Sequence, residues 1–169
     1  MYVSLVELAD RPGALELAQA ATPERFRAVD SALLDALLRD QDVSSWPAEE
    51  VEVAELTKQA IVAEVEAAGG LIDGFLARRG YTLPLTRTYP VVTGWARAIA
   101  RYKLHQARLS TEKDDPIVRD YRDALALLKL VAEGKFSLGT EDPLTPPSSG
   151  APKFSAPARV FTAGTLRDF

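Results

Sequence analysis

The chain has 169 residues, 47% hydrophobic and 26% charged, and its 20 Lys and Arg against 24 Asp and Glu leave a net charge of −4. A chain of this length can bury roughly 70% of its surface as one domain. Zero cysteines exclude disulfides, thiolate metal sites and Cys nucleophiles, and with a single histidine they leave few metal ligands, so no cofactor is expected. The acidic balance argues against bulk nucleic-acid affinity and leaves a local basic patch as the route to DNA.

The first element is short. Ser4 and Glu7 form a capping-box pattern, and Pro12 and Gly13 interrupt the helix before ALELAQAA. Asp30 or Ser31 caps a second short segment, SALLDALLRD. The main signal opens at Trp46-Pro47, where proline suits a first helical turn and Glu49, Glu50 and Glu52 complement the helix dipole. Val51, Ala54, Ile61, Val65, Ala68, Ile72 and Phe75 then recur at steps of three and four, with Lys58 in the one vacant position. If it continues to Arg79, this helix spans close to 50 Å, at about 1.5 Å per residue. Gly69-Gly70 interrupts good helix formers at a cost of about 2 kcal/mol relative to alanine, which predicts either a bend or a closely packed neighbour.

GYTLPLTRTYP, with Gly80, Pro84 and Pro90 among β-favouring residues, is expected to form a structured loop or short extended pair that ends the long helix. In the next helix Val91, Trp95, Ala98, Ile99 and Tyr102 make an apolar stripe, and Arg97, Arg101, His105 and Arg108 line another face. The last helix opens at Asp115-Pro116 and turns Val118, Tyr121, Leu125, Leu128 and Ala132 inward until Gly134 stops it. Five of the eleven prolines then fall between residues 143 and 157, which reads as an extended linker. The fold expected is all-α: a small helical bundle with one long helix, a structured loop after it and an extended C-terminal arm. Residues 1–139 form the body, 140–157 the linker and 158–169 the arm.

No constellation suited to catalysis is present. His105 lies mid-helix in a basic stripe, and there is no GxSxG elbow, GxxxxGK[ST], GxGxxG or HExxH. The acid pairs Asp114-Asp115 and Asp120 with Asp123 read as helix caps and partners for Arg119 and Arg122 rather than as a cation site. The chain is therefore expected not to be an enzyme. The basic face of Arg97, Arg101, His105 and Arg108 has two readings: inter-helix or inter-subunit salt bridging, which is favoured, or tracking of DNA phosphates by a DNA-binding accessory protein. No apolar run reaches the roughly 20 residues of a membrane span, and the N-terminal residues lack a basic segment ahead of an apolar one. A soluble protein is expected, with no membrane partner, working inside a cell or in a particle assembled there. Phe154 within the linker and Val160, Phe161, Leu166 and Phe169 beyond it are too apolar for a solvated tail, which predicts that the arm docks, either back on its own body or, as the favoured reading, on a partner or a neighbouring subunit.

LIDGFLARRGYTLPL (71–85), GWARAIARYKLH, DPIVRDYRDALALLKLVAEGKFSLG and the closing RVFTAGTLRDF stand in an order that resembles the Mu-like phage neck proteins, the head-tail connector or adaptor family of tailed phages. Gly80 is a departure, because it separates Arg79 from the aromatic that follows arginine directly in such proteins. The resemblance implies a helical subunit that assembles in the host cytoplasm as a dodecameric ring at the virion neck. That ring would extend the DNA channel below the portal protein and meet a downstream neck or tail-terminator protein. It also implies roles for particular residues. Arg159, Val160, Phe161, Leu166, Arg167 and Phe169 would dock on the portal, and Tyr81, Leu83, Pro84 and Leu85 would form a loop on the channel or tail side.

Overall fold

The computed structural model describes residues 1–87, 89–106 and 115–139. Among these every regular element is helical, in the order α1 (Leu5–Leu8), a π turn (Ala9–Gly13), α2 (Ala14–Ala21), α3 (Ser31–Leu38), α4 (Ala48–Arg79), α5 (Pro90–His105) and α6 (Pro116–Ala132). The protein is all-α. No strand occurs among the described residues, so the segment after the long helix is a loop and not an extended pair.

Local chemistry sets the boundaries. Ser4 and Glu7 close a complete capping box on α1. The chain leaves helical geometry at Arg11, the Arg11–Pro12 peptide is cis, and Gly13 takes a positive φ of 109° before α2 begins. Asp30 caps α3 by accepting from the N–H groups of Ala32 and Leu33, and Asp115 caps α6 by accepting from that of Ile117 at 2.8 Å. At the other end of α4, Gly80 in the left-handed region (φ 97°) returns its N–H to the carbonyls of Leu76 and Ala77.

Helices α4, α5 and α6 pack against one another in all three pairings, and α2 and α3 lie against α4. The main core joins Ile61, Val65, Ala68, Ile72 and Leu76 of α4 to Val92, Trp95 and Ile99 of α5 and Leu128 and Val131 of α6. A smaller cluster of Leu33, Leu37 and Ala54 fixes the start of α4, with Trp46 and Val51 against it. Two aromatic contacts tie α6 and the turn after it to α5: Tyr102 stacks on Tyr121 at 3.9 Å between ring centres, and Trp95 meets Phe136 edge-on at 6.1 Å.

Three expectations need correction. Helix α4 is continuous through Gly69-Gly70, and among the described residues the closely packed neighbour is absent: a Cβ at Gly69 would meet Tyr2 at 3.9 Å, and one at Gly70 would meet no described residue within 4 Å. On α5 the buried position is Val92, while Val91 is exposed. Leu76 and Val131 likewise occupy the core in place of the half-buried Phe75 and Ala132. At each of these places two apolar residues adjoin, and the rotation of the packed helix selects one.

Candidate functional site

The basic face of α5 is tied into the body. Arg101 makes a two-pronged bond to Glu16 of α2, Nε to Oε1 at 2.5 Å and Nη2 to Oε2 at 2.8 Å. The ring of His105 joins the same carboxylate at 3.0 Å. Burial alone would raise the Glu16 pKa, but the hydrogen bonds and charges of Arg101 and then His105 outweigh it and hold the carboxyl below its ordinary value. Arg101 is correspondingly held more firmly protonated, first by its bond to Glu16.

Arg97 lies one turn earlier, half-buried, and its Nε is enclosed without a hydrogen-bond partner among the described residues. It shares a cleft of about 510 Å³ with Arg11, Glu16, Arg101, Asp120 and Asp123, floored by Trp95 and Leu127. Positive and negative groups both line this cleft, so it does not present the purely positive surface that phosphate tracking needs. Arg108, the fourth member of the predicted face, lies outside the described residues.

The loop after α4 divides into buried and presented residues. Tyr81 faces inward, 7% exposed, and its hydroxyl accepts from the N–H of Leu138 at 3.2 Å. Leu83 and Leu85 are half-buried against the core and Pro84 is exposed, the Leu83–Pro84 peptide being cis. Tyr89 closes the loop from beneath, buried, with the Arg87 guanidinium over its ring at 4.7 Å. The arm residues Arg159, Val160, Phe161, Leu166, Arg167 and Phe169 lie outside the described residues.

Two structural groups escape a reading of the sequence. Glu16, the acceptor at the centre of the α5 cluster, stands 85 positions from Arg101, and no local pattern links them. Arg79 reads as a solvated cation at a helix end, yet it is buried with its guanidinium packed against Gly134 at the end of α6. Among the described residues no group of three or more His, Asp or Glu converges on a metal position, and no helix is long and apolar enough to cross a membrane.

Compared with known proteins, the chain matches no curated sequence. It does match, over residues 2–156, the model of the family described as "Bacteriophage Mu, Gp36". That match takes in every described helix, the loop after α4 and the linker as far as residue 156, and it makes this a bacteriophage protein of the structural and morphogenetic class. The chain belongs to the bacteriophage Mu Gp36 family.

Proposed function

We propose that this protein is a head-tail connector (adaptor) subunit. It assembles as a dodecameric ring at the virion neck below the portal protein, extends the channel through which DNA passes, and presents a surface to a downstream neck or tail-terminator protein. The observation that carries the reading is the family match over residues 2–156. Two features of the chain support it. The body is all-α, with one main core that joins α4, α5 and α6, and an apolar arm follows a proline-rich linker. A ring multiplies the docking of each arm by its copy number, so weak single contacts suffice. No catalytic activity is part of this proposal.

The alternative of a DNA-binding accessory protein has less support, because Arg101 and His105 both spend their hydrogen bonds on Glu16. The decisive experiment is electron microscopy of lysates from the parent phage with this gene silenced. Filled or leaking heads beside separate, complete tails are expected; infectious particles with heads and tails joined would overturn the connector role.

A further inference from the structure

Once the internal pairs of the α5 cleft are set aside, its charges do not cancel. Arg101 is spent on Glu16, and Asp120 accepts from Arg119 of its own helix at 3.2 Å. Around the cleft there remain Arg11 and Arg97 against Asp123, and none of the three makes a hydrogen bond or salt bridge among the described residues. Arg97 has the strongest need of a partner, because its Nε–H is enclosed and a buried donor without an acceptor carries its full desolvation penalty. Glu7 feels the Arg97 charge, but its carboxylate is bonded to the N–H and hydroxyl of Ser4.

The floor beneath these groups is apolar, formed by Trp95 and Leu127, and Gly94 leaves it open: a Cβ there would meet none of the described residues within 4 Å. A surplus of guanidinium, one carboxylate on the rim and an apolar floor suit a carboxylate borne on a protein segment. A run of phosphates suits them less, since Asp123 would repel it.

The chain carries unpaired carboxylates of this kind on another surface. At the start of α4, Glu49 and Glu50 lie in the first turn, where the helix dipole stabilises them. Glu52 and Glu55 lie beyond it, about one turn apart and both exposed, and neither has an ion pair among the described residues. Like charges at this spacing repel each other along a helix, so the described body gives the pair no stabilising partner.

We infer that Glu52 and Glu55 of one copy dock in the α5 cleft of the next, where they supply acceptors to Arg97 and Arg11. The two surfaces lie on different parts of the chain, so the contact is head-to-tail, the kind that closes into a ring when the rotation between copies allows it. The inference rests on the ring reading proposed above and names one of its inter-subunit contacts.

Charge reversal in mixed full-length copies tests it. One variant carries Arg97→Glu and the other Glu52→Arg with Glu55→Arg; self-association is followed by sedimentation velocity over a concentration series at low salt. The unmodified chain is expected to self-associate, and each variant alone to do so at least about tenfold more weakly, because its cleft and its α4 face then carry like charge. An equimolar mixture should recover to within about threefold of the unmodified chain, since every cleft then meets a face of opposite sign. Mixing does not repair a folding defect, so recovery separates the contact from misfolding. An unmodified chain that stays monomeric throughout, variants that associate as well as it does, or a mixture no better than its components overturns the inference. So does a duplex-DNA shift that Arg97→Glu removes, which would make the cleft a phosphate site. The lysate experiment does not depend on this contact, so the connector reading stands or falls separately.

Discussion

Glu16 of α2 is bonded by both Arg101 and His105 of α5, and that geometry governs two measurements. Replacing Arg101 by alanine leaves a partly buried carboxylate with His105 alone. Both charged groups are more than a quarter exposed, so solvent screening reduces the loss to about 1 kcal/mol in a denaturant titration. The pH dependence has a definite sign. The folded-state pKa of Glu16 lies below its ordinary 4.5, so the unfolded chain takes up the proton first; the stabilisation is present above that value and is lost as pH falls through the folded pKa. Glu16→Gln should therefore flatten the acid limb of the stability curve below about pH 4.5 while leaving its shape near pH 7 unchanged. Gly134 carries a separate constraint. Its φ is +75°, and a Cβ would collide with the Arg79 guanidinium, a group buried in the fold. Gly134→Ala combines backbone strain with displacement of a buried cation and should cost about 2 kcal/mol, read as a lowered denaturation midpoint with an unchanged slope.

At the scale of elements, α4 shows which features a sequence can specify. Its register is legible because Ala54, Ile61, Val65, Ala68 and Ile72 keep one helical face over many turns, and all five are buried. The starts of α3 and α6 are legible for a different reason: Asp30 and Asp115-Pro116 act within their own turn. The features that are not legible depend on partners distant in the chain. Val91 and Val92 are equally apolar, and only the packing of α5 on α4 and α6 chooses between them. The clustering of Arg101 and His105 on Glu16 likewise exists only once α2 crosses α5. Gly69-Gly70 falls between these cases, since the propensity cost is visible in the sequence and its purpose is not. The continuity of α4 at this pair yields a prediction of its own. Because a Cβ at Gly70 meets none of the described residues within 4 Å, Gly70→Ala should stabilise the body by about 1 kcal/mol, measured as a raised melting temperature.

For the whole molecule, the question is how the body and the arm divide the work. Both buried clusters are built from residues between Val3 and Leu138, and the bond from Leu138 to the Tyr81 hydroxyl locks the end of that segment to the loop after α4. A body closed in this way should not need residues 154–169 to fold. Deleting them is expected to leave the melting temperature within about 4 °C of the full chain, the shift that corresponds to roughly 1 kcal/mol at this size. Portal binding should respond differently. If the arm is the docking element of an adaptor ring, its loss removes one contact per subunit, and the effect on the assembled ring compounds across every copy. A pull-down of portal by the truncated chain should therefore fail under conditions where the full chain succeeds. Undiminished binding would show that the body itself carries the portal surface.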